Sequence, residues 1–152
     1  MRKTIILLLI LLFIKIAGVY TIAEGGENLR LTSPEFGNNK FIPQKFTCDG
    51  EDIIPTLELS DIPDKTQSLA LIVDDPDAPM GTWVHWVVFD LPVISRIAEN
   101  TIPGKQGRND FGRKDYGGPC PPSGTHRYFF KLYALDKKLD LSSIHKIGVE
   151  AR

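Results

Sequence analysis

Two cysteines in 152 residues are too few for a disulfide-dense scaffold, and neither has the C-x-x-C spacing that zinc and redox sites favour. A P-loop and a dinucleotide G-x-G-x-x-G are both missing, so nucleotide phosphates find no ready-made cradle. Basic runs are missing as well, which makes nucleic acid and anionic membrane surfaces poor electrostatic partners. No internal repeat or low-complexity tract occurs. Helical periodicity is scarce: 13 glycines and 11 prolines spread along the chain suit short elements joined by turns better than a helical bundle. Nucleophilic catalysis finds little support. Ser123 lacks the strand-turn-helix G-x-S-x-G setting, and Cys120, between two prolines, has no identified activating base.

The chain does carry an export-like start. Arg2 and Lys3 precede the apolar run 5–14; Lys15 interrupts it, and IAGVYTIA follows with small residues at cleavage-like positions. Residues 1–23 therefore read as a secretory signal, with an N-terminal anchor over residues 5–22 as the alternative if Lys15 is tolerated at roughly 3 kcal/mol. No cysteine lies near this segment to carry a lipid. Either way residues 24–152 form one domain outside the cytoplasm, periplasmic or secreted. Loss of residues 1–23 removes Arg2, Lys3 and Lys15 from 18 basic residues and none of the 19 acidic ones, leaving a formal charge of −4. Any anion must then be held by a local site. In an oxidising compartment Cys48 and Cys120 either bridge or stay as two free thiols; the spacing alone does not decide.

Along the domain, ENLRLTSPEF, KFIPQKFTCDG and IIPTLELSDIPD are short stretches punctuated by proline and glycine, expected to be strands of a meander or hairpins. SLALIVDD from Ser68 is nearly uniformly apolar and reads as a buried central strand, stopped by Pro76 and Pro79. TWVHWVVFDL is the second buried strand, with Trp83, His85, Val87, Phe89 and Leu91 sharing a face under strict alternation. Residues 92–122 read as a long loop. HRYFFKLYAL from His126 reads as a strand with His126, Tyr128, Phe130, Leu132 and Ala134 facing inward and Arg127 outward.

Both histidines thus stand near strand ends, at the mouth of a sandwich. Asp75, Asp77, His85, His126 and Tyr128 are the candidate site, with the backbone of GGPCPPSG beside them. The prolines of DPDAP stiffen the backbone around its acids, which is preorganisation. Two histidines and a tyrosine suit donation to an oxyanion, while a carboxylate orients and charges a histidine or meets a protonated or ammonium-bearing ligand. The bland alternative is a rigid turn beside structural histidines, and a metal shell of the same acids and imidazoles is a rival chemistry. His145 is expected on the surface.

DPDAP followed by TWVHWVV, then GGPCPPSGTHRYFFKLYALD, resembles the two signature segments of the phosphatidylethanolamine-binding protein (PEBP) family. FTCDGED and NDFG before YGGPCPP are similar to its bacterial and archaeal YbhB/YbcL type, the Raf kinase inhibitor-like branch. The resemblance implies an all-β fold, an antiparallel Greek-key β-sandwich with few short helices, and an anion pocket at one end. It implies pocket residues Asp75, His85, Gly118, Pro119, His126 and Tyr128, with Asp77 and Pro79 in the same loop. The expected function is non-enzymatic binding of a phosphate-bearing small molecule or phospholipid headgroup, without cofactor or metal, and modulation of a protein partner such as a kinase or protease. The alternative is a metal-dependent or His-based hydrolase in the same pocket. Family members continue past the LDL segment into a helix and an aromatic closing stretch, so the C-terminal helix region is expected to be missing here and the domain C-terminally shortened.

Overall fold

The computed structural model describes residues 29–139. The expected leader, His145 and the C-terminal region lie outside the described residues. Among them no helix is long and apolar enough to cross a membrane.

Two antiparallel sheets form a sandwich. The first has the order β1 (Arg30–Thr32), β2 (Leu57–Ser60), β5 (Arg96–Ile97). The second has the order β6 (Lys105–Gln106), β4 (Trp83–Leu91), β3 (Ser68–Asp75), β7 (Phe129–Leu135). β3 and β4 form an antiparallel pair inside the second sheet, and the chain crosses between sheets before and after it, the Greek-key arrangement. β3 is central because its sequence can be nothing else: Leu69, Leu71 and Val73 are wholly buried, and burial of each such side chain stabilises by about 1.5–3 kcal/mol. Leu57, Leu59 and Ile97 meet them from the other sheet.

Four expectations change. Within KFIPQKFTCDG the chain makes a single 3₁₀ turn, Gln44–Phe46, because Pro43 sets the entry and its carbonyl accepts from the Phe46 N–H. Among the described residues of ENLRLTSPEF, only Arg30–Thr32 pairs, as Pro34 cannot extend the ladder. The stretch 92–122 contains two two-residue strands, too short to leave any period in sequence. β7 begins at Phe129, so the H-R-Y triplet leads into the strand instead of lying within it.

The largest difference is in β4. Val73 faces Trp86 but Asp74 faces Val84, so His85 is an extra residue, a β-bulge; a second register shift falls between the Leu69–Leu91 and Leu71–Val88 pairs. Strict alternation therefore fails over this strand. Trp86 and Val88 enter the core, the second shift returns Leu91 to it, and the first buries His85 at 3% exposure beside Trp86 at 1%. Asp90, near the second shift, has φ 53°, a conformation that aspartate tolerates better than most residues.

Leu71→Ala removes a wholly buried side chain from the central strand. We expect a loss of about 2–5 kcal/mol in unfolding free energy, read from urea denaturation with an unchanged m-value.

Candidate functional site

The end of β3 delivers Asp75 into a polar junction beneath the sandwich edge. One carboxylate oxygen accepts from the Asp77 N–H at 2.8 Å and the other meets His126 Nδ1 at 2.7 Å. A carboxylate only accepts, so Nδ1 of His126 carries a proton and Nε2 is the nitrogen left for another partner. The bulge at His85 aims a second imidazole at the same region. Its Nδ1 donates to the Gly117 carbonyl at 2.8 Å, which fixes the same tautomer. No hydrogen bond to either Nε2 is found among the described residues.

His85 is held edge-on between two aromatic rings, Tyr128 at 5.2 Å and Phe111 at 5.1 Å between centroids. The Tyr128 hydroxyl is buried and makes no well-formed hydrogen bond among the described residues, although the Asp75 carboxylate and the Cys120 backbone stand close to it. Burial first, and the negative charge of Asp75 second, push it up to about 12. A buried hydroxyl left without a well-formed hydrogen bond costs about 1–3 kcal/mol, which favours donation to a better-placed acceptor where one can reach it.

A groove of about 1600 Å³ runs from β1 and residues 36–42 to residues 119–130, and His126, Tyr128 and Pro119 line it. Asp75 and His85 are buried behind that lining. Gly118 also stands behind it. Its N–H donates to Asp52 Oδ1 at 2.6 Å, and a Cβ there would lie 2.5 Å from the Phe46 carbonyl oxygen. Only glycine fits. Pro119 is buried, with its carbonyl accepting from the Cys48 N–H at 3.1 Å.

Two of the expected residues turn elsewhere. Asp77 gives both carboxylate oxygens to the Arg127 fork, at 2.8 and 2.6 Å, and also accepts the Arg127 N–H at 2.9 Å. Those bonds hold its carboxyl far below the usual carboxylate range. Asp77 is thus a clamp that ties the DPDAP loop to the H-R-Y segment, and Arg127 takes the local structural role expected from its outward position. Pro79 is exposed on that loop and does not line the groove. Cys48 and Cys120 are bridged, with Cα atoms 5.4 Å apart.

Three further residues belong to the site's support. Asn109 is buried; its Nδ2 donates to the His85 and Asp115 carbonyls, and its Oδ1 accepts from the Arg113 N–H. Phe111, 39% exposed, closes one side of His85. Asp52, at φ 56°, holds Gly118. The only sequence signal for them is turn chemistry in NDFG and CDGED. Among the described residues, no group of three or more acidic, histidine or cysteine side chains is arranged to hold a metal ion.

The family model described as phosphatidylethanolamine-binding protein matches residues 32–151. A UPF0098 protein of Pyrococcus horikoshii is 47% identical over 146 residues, 88% of this chain and 73% of the relative. One from Aquifex aeolicus is 50% identical over 122 residues, 74% and 71% of the two chains. Among solved structures, a phosphatidylethanolamine-binding protein homologue from Chlamydia trachomatis aligns with a TM-score of 0.71 at 45% identity, over 73% of this chain and 77% of that one. YbcL of E. coli, described as a member of the mammalian PEBP family, aligns at 0.67 and 34% identity, over 72% and 77%.

Two outcomes test the geometry. Gly118→Ala should cost about 1–3 kcal/mol in denaturant unfolding, since backbone and carboxylate must yield to the new methyl. Tyr128 should ionise late: absorbance near 295 nm should show a phase towards pH 12 that Tyr128→Phe removes. A phenol whose pKa is raised by folding favours the protonated fold, so its stability contribution is complete below about pH 10 and drains away as the pH climbs towards 12.

Proposed function

The chain belongs to the phosphatidylethanolamine-binding protein family, and from that premise we propose that it is a non-enzymatic receptor for a phosphoryl-bearing small ligand or headgroup, held against His126, His85 and Tyr128. The observation that carries this reading is the Tyr128 hydroxyl, buried without a well-formed hydrogen bond among the described residues in a groove wall shared with His126, whose Nδ1 is fixed by a buried carboxylate. A phosphoryl oxygen supplies the acceptor that the hydroxyl lacks, and a proton shared between an imidazole Nε2 and a phosphoryl oxygen completes a further hydrogen bond whichever partner brings it. Asp75 sharpens this by orienting the imidazole of His126 and by repelling a fully ionised ligand that carries no proton or ammonium.

The export-like sequence of residues 1–23 supports a receptor in the periplasm or outside the cell, with a membrane anchor over residues 5–22 as the alternative. A protein partner, a kinase or protease among the candidates, would be modulated through the ligand-bound mouth or through residues 92–117. The hydrolase alternative uses the same His126–Asp75 pair, an arrangement of base and orienting acid. It differs in requiring turnover that disappears with His126→Ala.

Calorimetric titration with inorganic phosphate and with phosphoethanolamine tests the reading. Saturable binding is expected, and His126→Ala and His85→Ala should each weaken it by tenfold or more, the loss of a charged hydrogen bond of about 1.5–3 kcal/mol. Absence of heat with either probe, or unchanged affinity in both variants, discards the receptor.

A further inference from the structure

We propose that the Cys48–Cys120 disulfide is a redox control on the anion site: reduction frees the wall made by residues 120–125 and weakens phosphoryl binding while the sandwich stays folded. The inference rests on the receptor reading above.

Each part of that wall has its own anchors. Residues 117–119 are buried and fixed three times: the Gly117 N–H donates to the His85 carbonyl, the Gly118 N–H to Asp52, and the Pro119 carbonyl accepts from Cys48. On the far side, His126 is held by Asp75 and Arg127 by Asp77. Between these anchors residues 120–125 are all exposed, and no hydrogen bond joins residues 121–125 to another segment among the described residues. Pro121, Gly124 and Thr125 nonetheless line the groove. Gly124 sits at φ 70° with no atom within 4 Å of where a Cβ would stand, so packing does not confine it either. The covalent tie at Cys120 shortens the free span at its root.

The partner side of the bridge survives reduction. Residues 44–50 bond to themselves: the Thr47 hydroxyl donates to the Gln44 carbonyl at 2.8 Å and Gln44 Nε2 to the Asp49 carbonyl at 3.0 Å. Phe46 is buried, and its carbonyl accepts from the Tyr116 hydroxyl at 3.1 Å. The two segments therefore remain docked without the sulfur bridge, and the release is confined to the span that faces the ligand. Both cysteines are exposed, so a thiolate can reach a sulfur. A dithiol attacks one sulfur, then closes its own disulfide on the resulting mixed disulfide. Two electrons and two protons pass to Cys48 and Cys120, which emerge as thiols.

The test compares the oxidised full chain, the chain reduced by dithiothreitol, and the Cys48→Ser/Cys120→Ser variant, by backbone amide NMR relaxation, hydrogen exchange and titration with inorganic phosphate. Reduction should lower the backbone order parameters of Ser123, Gly124 and Thr125, whose exposed amides carry no hydrogen bond for exchange to report, and leave β3 and β4 protected from exchange. The phosphate dissociation constant should rise about tenfold, the cost of re-ordering roughly one freed residue on binding. The double variant should match the reduced chain and ignore dithiothreitol. Unchanged order parameters in the wall overturn the proposal, as does loss of exchange protection throughout the sheets, or equal phosphate affinity in the two redox states. If phosphate binds in neither state the receptor reading falls, and the relaxation data alone then decide the wall: loss of order confined to it upholds redox control of the loop, and no loss ends it.

Discussion

A carboxylate buried at the end of an apolar strand must be answered by donors, and Asp75 is answered by two pieces of chain that would otherwise be independent. Its own loop turns back to give the Asp77 N–H, and a segment 51 residues later brings His126 Nδ1. Loss of either donor would leave a buried negative charge short of partners, which costs far more than an exposed pair gains. The DPDAP loop, the H-R-Y segment and the tautomer of His126 are therefore consequences of one acid at the end of β3. The Asp77–Arg127 fork adds a second, exposed tie between the same segments, and screening makes it the weaker of the two.

The second imidazole arrives by a different route. β4 is long, apolar and read easily as a strand, but alternation alone cannot bury both His85 and Trp86. The bulge does so by spending one residue out of register. Asn109 then donates to the His85 carbonyl, and the Gly117 N–H reaches the same oxygen at 3.2 Å. Irregular backbone is thus accommodated by a loop that packs beside it. The 92–122 stretch is long because it carries this duty.

These details separate what the sequence reveals from what it hides. β3, β4 and β7 show themselves because each is long enough for composition and period to register, and the two-sheet architecture follows from them. β5 and β6 have two residues each and exist only as partners of β2 and β4. Asp75, His85, His126 and Tyr128 are legible as a group because they stand at strand ends on either side of proline-rich turns. Asp77 shares their motif, yet its carboxylate belongs to Arg127, a pairing that residue type does not announce. Asp52 and Asn109 act on partners 66 and 24 residues away, at Gly118 and His85, and no local pattern encodes such distances.

The allocation of charge also bears on selectivity. Arg127 is engaged by Asp77 and Lys131 by Asp74, whereas Arg30 and Lys40, which line the same groove, form no ion pair among the described residues. Around Asp75 itself, what is left to meet a ligand is two imidazoles and a phenol, groups whose donation depends on protonation or on a neutral O–H. Such a site gains little from long-range attraction in a domain of mildly acidic character, and must rely on placing its few donors before the ligand arrives. Affinity then follows the order of the surrounding backbone more than the amount of charge. Proline-stiffened turns, a bulge and a cross-linked wall around three donors are the features that such a dependence would select.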